Sequence, residues 1–192
     1  SAYIYTYGVS VVGEWDTGTK IVGGVGRNDR FGISVAMSWD GTIVIVGALN
    51  SDPDGNDDAG AAYIYTYSDS SWNTGTKIVA YDKQPYNNFG NSVAMSDDGT
   101  KVIVGARYHE PDDINYAGSA YIYTYSDSSW NTGTKIVAYD KQPYDNFGKS
   151  VAMSHDGTKV IVGAPYNNPN NSSRAGSAYI YTYGVSVVGE WD

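Results

Sequence analysis

Side chains able to do chemistry are sparse and scattered in this sequence. Its two histidines, His109 and His155, lie far apart, and it has no cysteine. That removes a cysteine nucleophile, a disulfide framework and any thiolate metal site. A serine nucleophile needs the sharp Gly-x-Ser-x-Gly elbow, and Gly8-Val9-Ser10-Val11-Val12-Gly13 spaces its glycines too widely. Neither a His-Glu-x-x-His zinc motif nor a phosphate-cradling Gly-Lys-Ser/Thr loop occurs. No catalytic residue, cofactor site or metal site is assigned.

Carboxylates remain as candidates. Asp40, Asp98 and Asp156 each precede a glycine between two apolar runs. Asp-Gly there is hairpin chemistry, because the turn needs positive φ that both residues tolerate, so these three are read as structural. The stretch Asp52-Pro53-Asp54-Gly55-Asn56-Asp57-Asp58 resembles a calcium loop in its alternation but lacks the closing bidentate glutamate, and it reads as a solvated turn. A retaining glycosidase would need two carboxylates about 5 Å apart, a pairing that spacing alone does not assign. The overlapping tripeptides Asn170-Asn171-Ser172 and Asn171-Ser172-Ser173 make Asn170 and Asn171 glycosylation candidates.

The elements that carry these residues repeat. Tyr-Ile-Tyr-Thr-Tyr begins at Tyr3, Tyr63, Tyr121 and Tyr179, at spacings of 60, 58 and 58, and Phe-Gly recurs at Phe31, Phe89 and Phe147. Residues 62–86 and 120–144 are identical over 25 positions. Good helix formers are nearly missing, with one Leu and three Glu, while β-branched and aromatic residues abound. The fold class is all-β. Period-2 patterning bounded by Asp-Gly and Gly-rich turns predicts strands near 33–38, 42–48, 61–67 and 76–81, repeating at +58.

Each unit therefore reads as a four-stranded antiparallel meander. In Tyr121-Ile122-Tyr123-Thr124-Tyr125 the tyrosines share one face, with Ile and Thr on the other. Val102-Ile103-Val104 is apolar on both faces, which requires a neighbouring sheet on each side. Meanders stacked side by side meet that need, as tandem blades of a β-propeller or an open propeller-like array. On this reading residues 1–30 hold strands three and four of a blade, and 31–88 and 89–146 are whole blades. Residues 147–192 hold strands one to three of another, with 177–192 repeating 1–16.

The string Phe-Gly-x-Ser-Val-Ala-x-Ser-x-Asp-Gly-Thr-x-Val-Ile-Val-Gly-Ala-Pro, complete from Phe147 to Pro165 and followed by Ala-Gly-Ser-Ala-Tyr-Ile-Tyr, resembles the FG-GAP repeat. The resemblance implies blades of the integrin α type, in the shorter-looped version found in bacterial surface and secreted proteins. Calcium-binding members carry an Asp-x-Asp-x-Asp-Gly-type loop between the first two strands. Here Ser38-Trp39-Asp40-Gly41-Thr42 and its two counterparts are too short, so the resemblance carries over no calcium site.

Twelve basic against 21 acidic residues give a net charge of −9, which argues against nucleic acid and anionic lipid as partners. No apolar run of about 18 residues is present to insert in a membrane as a helix, and no targeting segment precedes Ala2-Tyr3-Ile4. Near-identical modules without a catalytic constellation, together with the resemblance, point to a non-enzymatic structural or adhesive protein, extracellular or at the cell surface. Copies of itself or adjoining repeats are the expected partners. Propellers close with typically four to eight blades, and an incomplete blade exposes a strand edge. Tyr3, Ile4, Tyr5, Tyr7, Tyr179, Ile180, Tyr181 and Tyr183 are therefore assigned to an assembly edge, in a head-to-tail ring or filament or a longer tandem array. The alternative is a ligand-binding propeller that recognises glycan or protein through its variable loops, 49–60, 107–117 and 165–175.

Overall fold

A computed structural model of the chain describes residues 1–7, 13–23, 26 and 28–184. The all-β expectation holds: helical backbone among these residues is limited to three single turns, Pro53–Gly55, Pro111–Asp113 and Pro169–Asn171. The strands form four antiparallel sheets, here called blades I to IV. Blade I is the pair β1 (Ala2–Ile4) and β2 (Thr19–Ile21). Blade II holds β3 (Phe31–Met37), β4 (Ile43–Ala48), β5 (Ala61–Ser68), β6 (Ser71–Trp72) and β7 (Thr76–Ile78). Blade III repeats this with β8 (Phe89–Met95), β9 (Lys101–Ala106), β10 (Ser119–Ser126), β11 (Ser129–Trp130) and β12 (Thr134–Ile136). Blade IV is the triplet β13 (Ser150–Met153), β14 (Lys159–Ala164) and β15 (Ser177–Thr182).

Two strands differ from the sequence expectation, each for a local reason. The fourth strand, predicted as 76–81, stops at Ile78, and the next carbonyl, that of Val79, accepts the Tyr123 hydroxyl at 2.9 Å. The first strand starts earlier, at Phe31, because a bulge lets Phe31 and Val35 pair with the same partner strand out of step. The two-residue ribbons β6 and β11 are additional, pairing Tyr67 with Trp72 and Tyr125 with Trp130.

The Phe-Gly and Gly-Ala signatures have one shared physical cause. Phe89 is fully buried and meets the rings of Tyr121 and Tyr123 edge-on, at 5.6 and 6.1 Å. Gly90 then takes φ 86° at the bulge, a conformation closed to bulkier residues, and so turns its carbonyl toward blade II. That carbonyl accepts the Ser34 hydroxyl at 2.8 Å and approaches Gly47 so closely that a Cβ there would lie 2.0 Å from it. Ser92 and Asn91 grip the Gly148 carbonyl of blade IV in the same way, both at 2.8 Å. The blades touch where side chains have been removed.

Between blades, the tyrosine face of one packs on the isoleucine face of the one before. Tyr121 and Tyr123 of blade III share a core with Ile45, Ile64 and Ile78 of blade II. Tyr179 of blade IV does the same against Ile103, Ile122 and Ile136 of blade III. The Asp-Gly turns are joined edge to edge: the Trp39 amide donates to the Asp97 carbonyl, and the Asp97 amide to the His155 carbonyl, both at 2.9 Å.

Candidate functional site

The densest polar cluster lies at the junction of blades II and III. Asp82, in the turn after β7, accepts the Tyr121 hydroxyl at 2.7 Å and the Lys135 ammonium at 2.8 Å. His109 Nε2 stands 3.5 Å from the same carboxylate, and its Nδ1 is 2.8 Å from the Ser119 hydroxyl. With the carboxylate at Nε2, the neutral ring carries its proton there and accepts from Ser119 at Nδ1. Burial drives the His109 pKa below its ordinary value, against the opposing pull of Asp82. Burial also pushes the Asp82 carboxyl up, but Lys135, Tyr121 and His109 outweigh it and hold it below the usual range.

Ser119, His109 and Asp82 are the residue types of a nucleophilic triad. Ser119 is completely buried, however. A hydroxyl that cannot meet a substrate carbonyl performs no acyl transfer, so the cluster acts as a lock between blades. His109 does not recur one repeat away. Its counterparts are Ser51 and Asn167, and Asn167 accepts the Ser177 hydroxyl at 2.7 Å and donates to Asp145 at 2.9 Å. At that second junction, among the described residues, Asp140 accepts the Tyr179 hydroxyl, at 2.7 Å.

The turn aspartates spend their oxygens on their own turns. Asp98 accepts from the Ser96 hydroxyl at 2.6 Å, and from the Thr100 amide and hydroxyl, both at 2.9 Å. Asp40 and Asp156 repeat the pattern with Ser38/Thr42 and Ser154/Thr158. The acidic stretch is a loop in which Asp52 accepts the Asp58 amide at 2.7 Å and Asp54 pairs with Lys83 at 3.0 Å. No group of three His, Cys, Asp or Glu is placed to hold a metal among the described residues. Asn170 is exposed in the turn Pro169–Asn171, the segment that also holds Asn171.

The assigned edge residues divide between two kinds of surface. Tyr3, Tyr5 and Tyr7 of blade I are half exposed, and Ile4 packs toward blade II. Tyr179 and Tyr181 face inward, their hydroxyls donating to Asp140 and to the Val137 carbonyl. The open side of blade IV is its isoleucine face: Ile161 and Ile180 are 42% and 66% exposed, where Ile103 and Ile122 are 0% and 1%.

The FG-GAP repeat profile matches this sequence three times, over residues 15–65, 72–123 and 130–181. The chain belongs to the FG-GAP repeat family. Its repeats are typical of extracellular adhesive and ligand-binding propeller proteins, and the family is generally non-enzymatic. Each matched FG-GAP unit starts just before the fourth strand of one blade, at Trp15, Trp72 or Trp130, and ends on the third strand of the next, straddling a junction. No curated protein sequence matches. Among solved structures, a hypothetical selenium-binding protein from Sulfolobus tokodaii superposes with TM-score 0.53 at 14% identity, over 87% of this chain and 41% of that one. The hydrazine synthase of Kuenenia stuttgartiensis gives TM-score 0.47 at 11% identity, over 88% of this chain and 41% of that one. The chain thus spans about two fifths of either protein, and the first likeness shows the fold alone. No helix among the described residues is long and apolar enough to cross a membrane.

Proposed function

We propose that the chain is a non-enzymatic structural or adhesive module of an extracellular or cell-surface protein, extended head to tail by blades of its own kind. One observation carries this reading. At all three junctions between the blades a tyrosine face covers an isoleucine face, and the chain presents one uncovered face of each sort at opposite ends. Tyr3 is 53% exposed where Tyr121 is 0%, and Ile180 is 66% exposed where Ile64 is 2%. The two surfaces that lack a partner are complementary to each other.

Backbone edges match as faces do. In blades I, II and III the Ala-Tyr-Ile of the third strand pairs with a Thr-Lys-Ile fourth strand in one register: Ile4 faces Thr19, Ile64 faces Thr76, and Ile122 faces Thr134. Among the described residues no strand occupies that edge of β15, which carries the same Ala178-Tyr179-Ile180. Since residues 1–16 and 177–192 are identical, β2 of a second copy meets the same chemistry on β15 that it meets on β1. β1 holds on β2 the place that a neighbour's β15 would take, so strand exchange is a second mode of joining, in which the neighbour's Ile180 takes the place of Ile4 beneath Tyr63 and Tyr65.

A cysteine-free chain makes the test clean. Thr19→Cys together with Ile180→Cys places one thiol on each partner strand, at the spacing a directly opposed pair needs for a disulfide. Oxidation should give covalent multimers on a non-reducing gel, and light scattering of the unmodified protein should give masses above 20.7 kDa. A 20.7 kDa particle with cross-links confined to single chains would overturn the proposal.

A further inference from the structure

We infer that the loop-side cleft between blades III and IV binds an acidic oligosaccharide, a sugar chain carrying carboxylates such as a uronate oligomer. This goes beyond the scaffold reading and stands without it. The cleft is open, about 620 Å³, and Tyr108, Tyr116, Tyr144, Tyr166, Asn168 and Arg174 line it. That volume lies within the range typical of small-ligand sites. Tyr116 stands 5.0 Å from Tyr108 and 5.7 Å from Tyr144, ring centre to ring centre, tilted so that the rings form a stepped wall. Arg107 braces the wall, its guanidinium 4.4 Å from the centre of the Tyr108 ring.

The lining chemistry selects the ligand. Aromatic faces take the C–H faces of sugar rings, and phenol, amide and hydroxyl groups exchange hydrogen bonds with sugar hydroxyls. The lining contains no aliphatic side chain beyond Pro143, which disfavours an apolar peptide anchor. It contains no carboxylate and one guanidinium, in a protein of net charge −9. Arg174 sits 5.8 Å from the centre of the Tyr166 ring, where it can pair with a sugar carboxylate beside a stacked ring.

Backbone strain gives independent support. Tyr116, Tyr144 and Arg174 adopt φ of 51°, 71° and 51°. This left-handed region suits Asn and Asp and penalises bulky residues. One repeat earlier the matching positions hold Asp58 for Tyr116 and Tyr86 for Tyr144, at φ 51° and 66°, and two repeats earlier Asn28 holds the second position at φ 73°. At the position held by Asp58 in the earlier repeat, the two later repeats carry Tyr116 and Arg174 on the same left-handed backbone, and both reach one cleft with Tyr144. Strain retained in this manner is a mark of a working site. The equivalent surface between blades II and III has Asn50, Asp58 and Glu110 in place of Tyr108, Tyr116 and Asn168, and would repel an acidic chain.

The experiment is a calorimetric titration of the 192-residue protein with a galacturonic acid tetramer and, separately, with neutral maltotetraose. The acidic tetramer should bind, more weakly as salt rises, and maltotetraose should bind at least tenfold less tightly. Tyr144→Asn and Arg174→Asn should each weaken binding tenfold or more while the melting temperature stays level or rises, since Asn fits their backbone. Tyr86→Asn, the same change one repeat earlier, should leave binding unchanged. Absence of binding, equal affinity for maltotetraose, survival of binding in both cleft variants, or a lower melting temperature in Tyr144→Asn would each overturn the assignment. Tighter binding of a proline-rich peptide at the same residues would replace it with a peptide groove.

Discussion

The two junctions between complete tyrosine and isoleucine faces share a frame but not a filling. At the II–III junction one carboxylate, Asp82, gathers a phenol, an ammonium and an imidazole. At the III–IV junction its counterpart Asp140 accepts a phenol, Asn167 stands at the position of His109, and no strand matching the one that carries Lys135 lies among the described residues. Beneath both, the apolar seating is the same: a buried phenylalanine, Phe89 or Phe147, meets two tyrosine rings at almost identical distances. What recurs holds the blades together. What does not recur has been free to become a lock at one junction and a cleft at the other.

The largest effect should come from the shared seating. Phe89→Ala and Phe147→Ala each remove a fully buried ring, and each should cost about 3–5 kcal/mol in urea unfolding. The Phe147 variant should fall lower in that range, because its neighbour Tyr181 is only partly buried at the open end of the array. Equal losses would mean that blade IV is covered as fully as blade III.

Next in size is the difference between the carboxylates. Asp82→Asn should destabilise by about 2 kcal/mol and Asp140→Asn by about 1 kcal/mol, in keeping with charge-assisted against single hydrogen bonds. Equal values would show that Lys135 and His109 add nothing to the Tyr121 bond.

The pH response should separate the junctions further. The folded pKa of His109 lies below its unfolded value, so its contribution is complete above about pH 6.5. Below that the unfolded chain takes up a proton that the folded chain refuses, and stability falls until the buried ring protonates too. Asp82, also lowered, keeps its contribution above about pH 4 and loses it as pH drops through its folded value. His109→Asn, which copies the residue of the other junction, should flatten melting temperature between pH 7 and pH 5 relative to the parent (both set by the usual histidine range).

The smallest effect tests the tyrosine hydroxyls. Tyr123 donates to the Val79 carbonyl, whereas the buried Tyr65 hydroxyl has no partner among the described residues, and its pKa is pushed up to about 12 by burial and by Tyr63. Tyr123→Phe should cost about 1 kcal/mol, and Tyr65→Phe should be neutral or slightly stabilising. A clear loss from Tyr65→Phe would place a partner on that hydroxyl in solution.

The strand pattern was legible because a period of two, Asp-Gly turns and a 58-residue repeat are written in adjacent residues. The sidedness of the blades was legible too, from Val102-Ile103-Val104 and the alternating tyrosines. The polar lock was not. Asp82, His109, Tyr121 and Lys135 come from two loops and two strands of two blades, and three of the four sit in segments that look like plain repeats. The cleft was legible only as variable loops, since left-handed φ at a tyrosine leaves no trace in composition.

The identity of residues 62–86 and 120–144 bears on how this protein reaches its native state. During folding, nothing local distinguishes β5 and β7 from β10 and β12, so β4 can recruit either tyrosine strand with the same side-chain fit. Correct pairing is selected by chain proximity, because the nearer strand closes a far shorter loop at lower entropic cost. Domain-skipping errors should therefore rise when the connecting loops are lengthened, and neighbouring chains at high concentration compete for the same pairings. Uniform blades make growth of an array easy, and they make its assembly order the one thing side chains do not encode.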